Sequence, residues 1–207
     1  MSLTQTLSDY QQISVFSKGL INSAHRRDTT GSFLWSVDER RVITEAALLK
    51  MFVGWETFLE KTFILLLTGH SSTKGNGITK YASPPNEDHA NMMLIGLMRY
   101  VDWSTPDNVR KLARLFFERG EPFETVLASI DGDLRDLKTI RNAVAHLSST
   151  TSKALDALSS RKLQKSMLDI SVYTLVTSLD PNSNTTKSIF ESYLDILSAA
   201  ANQIVSF

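Results

Sequence analysis

The sequence predicts an all-α protein, an up-and-down helical bundle of four core helices with short accessory helices and a C-terminal helix. Apolar residues recur at three- and four-residue steps through most of the chain. Proline and glycine are scarce, with 5 and 9 copies among 207 residues. Residues 170–177 are an exception, because their β-branched residues alternate as in a short strand. A helix is favoured there, and the strand stays an alternative.

Two long helices are predicted in the N-terminal part of the chain. Residues 3–26 carry the stripe of an amphipathic helix, which the run 27–31 breaks. Ser36 and Glu39 then have the spacing of a capping box, in which both side chains accept hydrogen bonds from the first backbone N–H groups. A helix over residues 39–68 follows, and we expect it to be the backbone of the bundle.

A long polar segment separates these helices from the next ones. Residues 69–88 contain three glycines, two adjacent prolines and several small polar residues, which predicts a surface loop. A short helix is predicted over residues 88–100. Thr105 and Pro106 supply the N-cap and first-turn proline of another helix, which Gly120 is expected to end.

The C-terminal part contains the helix that carries the main motif. This helix is predicted over residues 122–147, with a kink at 131–133, where a glycine lies between two acidic residues. The Ser- and Thr-rich run 148–152 is expected to end it, since these side chains bond their own backbone. Further helices are predicted over residues 153–168 and about 185–205.

The length of the chain favours a single domain over residues 1–207, with a core of about 1–147 and a helical extension of about 153–207. Its 42% hydrophobic and 21% charged residues are typical of a globular protein. The 22 basic and 22 acidic residues balance, so any nucleic-acid binding has to be local. The chain has no cysteine, which excludes disulfides, thiolate metal sites and cysteine nucleophiles.

Targeting and membrane segments are not predicted. Residues 1–18 lack the basic start and apolar run of a signal peptide. The longest apolar run, over residues 63–67, is far shorter than the roughly 20 residues that span a bilayer. We therefore expect a cytoplasmic protein that does not bind membranes.

The most informative stretch lies near the end of the predicted helix 122–147 and reads Arg141-Asn142-Ala143-Val144-Ala145-His146. Because an α-helix advances about 100° per residue, Asn142 and His146 lie one turn apart on the same face. Arg141 lies beside Asn142. Ala145 leaves room for the guanidinium group and for the close approach of a second helix.

A second informative stretch lies in the predicted helix 39–68 and reads Trp55-Glu56-Thr57-Phe58-Leu59-Glu60. Glu56 and Glu60 lie one turn apart and repel each other by a few tenths of a kcal/mol, so a partner is expected. In one interpretation, one of the two glutamates, with Glu56 preferred over Glu60, positions the arginine or histidine of the 141–146 run. In the other, both belong to a solvated face near Lys61. Trp55 and Phe58 are predicted to be core residues.

Together, the Arg-Asn-x-x-Ala-His and Trp-Glu-x-Phe-Leu-Glu stretches resemble the HEPN superfamily of all-α domains, in particular the RiboL-PSP-HEPN and MAE-type group of HEPN-like nucleases. The resemblance covers about residues 42–146. It implies a metal-independent endoribonuclease that needs no cofactor. It also implies a homodimer in which two signature helices form one composite site, and a place in a toxin–antitoxin or phage-defence system, with an antitoxin protein as a further partner.

The residues of the motif suit RNA cleavage by attack of the 2′-hydroxyl group. Histidine ordinarily titrates near neutrality, at about 6.5, so His146 is expected to act as the base or the acid. The planar fork of Arg141 matches two phosphate oxygens and stays charged. Asn142 is expected to orient the phosphate or the imidazole. Since one chain offers one histidine in this motif, separate acid and base require a second copy.

Structural alternatives stand beside these roles. Arg141 fits a surface ion pair with Asp136 or Glu118, and His146 fits a cation at a helix C-terminus. A non-catalytic HEPN-like module that binds nucleotide, RNA or protein is one rival, and a plain dimerisation or scaffold protein is another. The rivals predict that Arg141 and His146 are buried in ion pairs, or that an apolar face covers their helix.

Further RNA contacts are predicted at Arg26, Arg27 and Lys138. Arg40 and Arg41, across the first loop, would extend the same basic patch, although ordinary solubilising charge explains these arginines as well. The remaining histidines lack the spacing of metal ligands, so no metal site is expected. The sequence also lacks a phosphate-binding loop and the nucleophile elbow of a hydrolase.

Overall fold

The computed structural model of the chain describes residues 1–98, 100–146 and 148–207, and at residues 97 and 98 the backbone alone. Over these residues the protein is an all-α helical bundle, as predicted. The helices are α1 (Leu3–Ala24), α2 (Val37–Leu67), α3 (Glu87–Met98), α4 (Pro106–Phe116), α5 (Phe123–Ser129), α6 (Asp131–Ala145), α7 (Ser149–Leu163), α8 (Val172–Thr177) and α9 (Ile189–Val205). Residues 99 and 147, which fall within the predicted helices 88–100 and 122–147, lie outside the described residues.

The chain divides into two compact units, each assembled from separate segments. The first unit contains Met1–Gln11, Trp55–Arg135 and Ile196–Phe207, and the second contains Gln12–Gly54 and Asp136–Asp195. The single domain with a core before residue 147 and an extension after it stays a prediction. Among the described helices, none has the length and apolar content needed to span a membrane.

Aromatic side chains form much of the core of the first unit. Phe63 lies at the centre, with its ring centroid 4.8 Å from that of Phe117 and 5.1 Å from that of Phe123. Trp55 and Phe58 are almost completely buried, and their ring centroids lie 5.6 Å apart. Their prediction as core residues is confirmed, as expected for aromatic residues that recur at helical spacing on a long central helix.

The predicted surface loop between α2 and α3 is confirmed, and hydrogen bonds to the end of α2 and to the C-terminal residues of the chain hold it. The backbone N–H of Thr73 donates to the carbonyl of Val205 at 2.8 Å. Asn76 Nδ2 donates to the carbonyl of Phe207 at 2.7 Å, and Lys80 Nζ donates to that of Leu67 at 2.6 Å. These contacts hold a long stretch without helical structure against the rest of the unit.

The limits of α4 confirm one prediction and correct another. Pro106 is the first residue and Thr105 the N-cap, but the Thr105 hydroxyl donates to Asp102 Oδ2 at 2.6 Å instead of capping the helix. The helix ends at Phe116, not at Gly120, because Phe117 turns to an extended conformation and pairs with Lys80 in an isolated bridge. Gly120, at φ 76°, closes the short 3₁₀ turn that follows.

A charged cluster links α4 and α5 within the first unit. Arg110 Nη2 donates to Glu124 Oε1 at 2.6 Å, and Arg114 Nε donates to Glu124 Oε2 at 2.9 Å. These hydrogen bonds, from Arg110 first and Arg114 second, lower the pKa of Glu124 from 4.5 to about 2. A carboxyl group whose pKa is lower in the folded state stabilises that state at any pH above its ordinary pKa. This stabilisation is lost as the pH falls from the ordinary pKa to the pKa in the folded state.

We therefore expect Glu124→Gln to lower the free energy of unfolding by about 2 kcal/mol at pH 7, with the difference from the wild type shrinking between pH 4.5 and pH 2. Urea unfolding of the wild type and the variant at pH 7 and at several pH values between 4.5 and 2 measures this difference in the free energy of unfolding. Glu118→Gln is the matched control on the neighbouring turn. A difference that is as large at pH 2.5 as at pH 7 would contradict the expectation.

In the second unit, the start of α2 follows the predicted capping box. Ser36 N–H donates to Glu39 Oε2 at 2.8 Å, and Glu39 N–H donates to Ser36 Oγ at 3.2 Å. Further along the helix, Gly54 faces α1 so closely that a Cβ atom at this position would lie 2.8 Å from Cγ2 of Ile13. The glycine that interrupts the helical propensity of α2 therefore permits close helix packing.

The segments after the 141–146 run differ in part from the predictions. The break in the predicted helix 122–147 lies at residue 130 and not at 131–133, because residues 131–133 form the first turn of α6. The run 148–152 begins α7 and not merely ends α6, because Ser148 Oγ accepts from Thr151 N–H at 3.2 Å. The hydroxyls that disfavour a helix interior thus cap the start of a new helix.

Within residues 170–177, residues 172–177 form a helix and no strand, and the last helix of the chain starts later than predicted. Ser171 Oγ accepts from Thr174 N–H at 3.1 Å and caps α8. The helix α9 begins at residue 189, where Ser188 N–H donates to Glu191 Oε2 at 3.0 Å. Ser188 and Glu191 have the capping-box spacing, so the sequence contained the signal for this boundary.

Candidate functional site

Burial on one face of α6 orients the 141–146 run. Within the second unit, Leu137, Ile140 and Ala143 are buried at helical spacing. Because the helix presents its other side to the surface, Arg141 and Asn142 are half-buried, and Ala145 and His146 are exposed. The amphipathic pattern of α6 therefore places the polar residues of the run within reach of a ligand.

The structure brings Arg141, Asn142 and His146 together at the last turn of α6. Arg141 Nη1 donates to Asn142 Oδ1 at 3.3 Å. The backbone N–H of His146 donates to the carbonyl of Asn142 at 2.9 Å, directly after the last helical residue, Ala145. The backbone bond places Asn142 and His146 on successive turns, as the spacing predicted.

The first turn of α7 fixes the backbone of His146. Thr151 Oγ1 donates to the carbonyl of His146 at 2.6 Å and accepts from Ser148 N–H at 3.1 Å. One hydroxyl thus joins the C-terminus of α6 to the N-terminus of α7. Because this hydrogen bond uses only the backbone of His146, its imidazole stays accessible to a ligand.

Asp136 anchors α6 within the second unit. Its carboxylate is 8% exposed and forms ion pairs with Arg161 and with Lys162, whose Nζ lies 3.3 Å from Oδ2. The Tyr193 hydroxyl also donates to Oδ2, at 3.4 Å. Asp136 therefore pairs with α7 and not with Arg141, which was the alternative predicted for it.

The two glutamates of the earlier motif belong to the other unit. Glu56 and Glu60 lie on α2 in the first unit, and both are half-buried. Glu118, the second alternative partner of Arg141, is also in the first unit. The proposed support of Arg141 or His146 by Glu56 or Glu60 stays a prediction, as does an ion pair with Glu118.

The predicted RNA contacts differ in their surroundings. Arg26 is exposed just beyond α1, and Lys138 is half-buried one turn before Asn142. Arg27 donates to the carbonyl of Gly31 at 2.6 Å, and its guanidinium carbon lies 3.8 Å from the centroid of the Phe33 ring. The backbone and the aromatic ring therefore already engage Arg27.

Arg40 does not contribute to a surface basic patch. Its side chain is buried, with the guanidinium carbon 3.7 Å from the centroid of the Phe33 ring, which Arg27 also contacts. His25 is a histidine to which the sequence assigned no function. Both of its ring nitrogens form hydrogen bonds, one with the carbonyl of Ile21 at 2.8 Å and the other with the hydroxyl of Tyr173 at 3.1 Å. Stacking and burial assign structural roles to both residues.

A mixed polar and apolar pocket beside α6 was missed by the sequence reasoning. It has a volume of about 320 Å³ and is lined by residues of α2, α6 and α7 and of the segment that leads into α8. Its charged lining residues are Arg41, Glu45 and Asp169, and Arg41 Nε donates a 3.1 Å hydrogen bond to Glu45 on the α2 wall. The spacing of Arg41 and Glu45 predicts an ion pair, but a pocket depends on tertiary packing that spacing does not predict.

Among the described residues, no group of three or more histidine or acidic side chains is arranged to hold a metal ion. Comparison of the chain with family models, with curated proteins and with solved structures finds no match. The resemblance to HEPN proteins therefore rests on the two sequence motifs alone.

Proposed function

We propose that this protein is a metal-independent endoribonuclease of the HEPN type, acting as a homodimer on single-stranded RNA. The observation that carries the proposal is the access to Arg141, Asn142 and His146 at one end of α6. In the part of the chain that the structure describes, Arg141 hydrogen-bonds to Asn142 and forms no ion pair, and the His146 side chain is exposed.

Other arginines of the second unit have structural partners. Arg41 pairs with Glu45, and Arg161 pairs with Asp136. Arg27 and Arg40 lie against the ring of Phe33. Arg141 is therefore suited to bind an external anion, and its fork can hold two oxygens of one phosphate.

The proposed reaction needs no group beyond the side chains and the RNA. One His146 takes the proton of a 2′-hydroxyl, whose oxygen attacks the adjacent phosphorus. The bond from phosphorus to the 5′-oxygen breaks, and a second imidazole donates a proton to that leaving oxygen. Arg141 stabilises the negative charge of the transition state. The products are a 2′,3′-cyclic phosphate and a 5′-hydroxyl.

A homodimer supplies the second imidazole. Two copies of α6 that meet across a two-fold axis bring the same residues together twice. Ala145 is exposed on the last turn and its side chain is small, so a partner helix can approach His146 closely. The polar face of α6, with Lys138 and Asn142 one turn apart, would line the groove that holds the RNA.

Incubation of the purified chain with total RNA and short oligonucleotides in EDTA tests the proposal. We expect cleavage that persists in EDTA and leaves 2′,3′-cyclic phosphate ends, and a dimer mass in solution. Absence of cleavage by a folded dimer on all these substrates would overturn the enzymatic assignment. Cleavage that EDTA abolishes would overturn its metal independence.

A second candidate is a non-catalytic module that binds a protein partner, such as an antitoxin. An exposed apolar surface at the start of α2 favours it, since Leu34, Trp35 and Val42 expose 55%, 41% and 64% of their surface. Exposed apolar clusters of this kind commonly mark protein interfaces. This candidate replaces the first one if the folded chain leaves RNA intact and binds a protein through that surface.

A further inference from the structure

We propose that the pocket beside α6 binds a guanine base of the RNA, so that Glu45 and Arg41 select the nucleotide next to the scissile phosphate. The inference rests on the proposed ribonuclease function for its RNA substrate. Binding of the base is nevertheless measurable without cleavage, so the two proposals can fail separately.

The size and the walls of the pocket fit a nucleotide base. Its volume of about 320 Å³ lies at the small end of the range of ligand pockets, about 300 to 1,000 Å³. Val144 of α6, Leu155 of α7 and Ile170 supply apolar surface. Proteins hold single-stranded RNA by splaying out its bases, and apolar side chains can pack on the faces of a base while polar groups read its edge.

The α2 wall matches the Watson–Crick edge of guanine. An ionised Glu45 carboxylate only accepts hydrogen bonds, and guanine presents its N1–H and its 2-amino group side by side. Arg41 donates to Glu45 through Nε alone among the described contacts, which leaves its terminal nitrogens for the O6 atom of guanine. Adenine and cytosine have a bare ring nitrogen in place of N1–H, and uracil lacks the amino group.

The remaining wall of the pocket is held in place by hydrogen bonds. Asp169, which lines the pocket, has a left-handed backbone at φ 54°. Asp156 Oδ2 accepts from the Asp169 N–H at 3.2 Å, and Asp156 Oδ1 accepts from the Ile170 N–H at 3.1 Å. This segment is therefore already positioned to receive a base, which reduces the ordering cost of binding.

The pocket lies next to the residues of the 141–146 run. Ala143 and Val144, in the middle of this run, form part of its lining. Thr151 also lines the pocket, and its hydroxyl donates to the carbonyl of His146 at 2.6 Å. A base in the pocket thus lies beside the turn that presents His146, so one nucleotide is read where its phosphate is to be cut.

Calorimetric titration with GMP, IMP and AMP in EDTA tests the inference, because these ligands share their phosphate and ribose and differ at the base. IMP lacks only the 2-amino group of GMP. We expect the wild type to bind GMP about tenfold more tightly than IMP or AMP, the effect of one hydrogen bond to a charged group. Glu45→Gln is expected to bring the three affinities together.

A variant that blocks the pocket and a control variant outside it complete the test. Ser152→Trp obstructs the pocket from an exposed position of α7, so we expect the fold to be retained and GMP binding to be lost. Asp9→Asn, at a half-buried carboxylate of α1 outside the pocket lining, is the control and should leave the GMP preference unchanged. Equal affinities of the wild type for GMP and IMP, or a preference that survives both pocket variants, would overturn the inference.

Cleavage mapping separates this inference from the proposed function. RNA that is cut beside guanines by the wild type and at all bases by Glu45→Gln supports both proposals. RNA that is cut with no preference for guanine overturns the guanine site and leaves the ribonuclease. A preference for GMP in a chain that cleaves no RNA supports the guanine site and overturns the ribonuclease.

Discussion

His146→Ala is expected to lower the rate of RNA cleavage by about 10²- to 10⁴-fold, the contribution of a positioned acid or base. The fold should be retained, because the imidazole is exposed and only the backbone of His146 contacts Thr151. Initial rates on a fluorescent oligonucleotide, measured beside thermal unfolding of the same samples, test both statements. His89→Ala, an exposed histidine of α3, is the matched control and should cleave like the wild type.

Arg141→Ala should lose cleavage in a different way. Because the guanidinium group binds the phosphate and His146 moves the proton, only the arginine variant is expected to weaken the binding of uncleavable 2′-deoxy oligonucleotides. The affinity of Arg141→Ala for the oligonucleotide should fall further below that of the wild type at low salt than at high salt. If both variants cleave RNA as fast as the wild type, the assignment of the site to the 141–146 run is wrong.

Asp136→Ala is expected to lower the free energy of unfolding by about 3 kcal/mol, since removal of one partner from a buried charge cluster leaves the others uncompensated. The carboxylate is 8% exposed and pairs with Arg161 and Lys162. Loss of these contacts should also loosen the attachment of α6 to α7. Urea unfolding of the wild type and the variant measures the difference.

Asp195→Ala is the matched control for this prediction. Asp195 also pairs with a lysine, Lys187, but its side chain is 59% exposed, so we expect a loss below about 1 kcal/mol. If the two variants lose the same free energy of unfolding, burial does not govern the contribution of Asp136. The role of Asp136 as an anchor of α6 would then be wrong.

Much of the helical fold could be predicted from local signals. The apolar periodicity indicated α1 and α2, and the spacing of Ser36 and Glu39 predicted the start of α2 through hydrogen bonds among four consecutive residues. Such signals succeed because their physical cause lies within one turn of a helix. The position of Asn142 and His146 on successive turns of α6 also followed from spacing alone.

Boundaries and pairings that depend on distant residues could not be predicted. The helix α4 ends early because Phe117 pairs with Lys80 and packs against Phe63, neither of which is local. The spacing of Asp136 and Arg141 along the chain allowed an ion pair between them, but Asp136 pairs with Arg161 and Lys162 of another helix. The basic patch suggested around Arg40 is likewise absent at that residue, since Arg40 is buried against Phe33.

The assembly of each unit from separate segments has a consequence for biosynthesis. Thr73 hydrogen-bonds to Val205, and His25 hydrogen-bonds to Tyr173, at separations of 132 and 148 residues. The ribosome delivers the chain from its N-terminus, so neither unit can complete these contacts until most of the polypeptide has emerged. The apolar faces of the helices that are made first stay uncovered until then. Folding is also slowed, because these contacts close loops of more than a hundred residues.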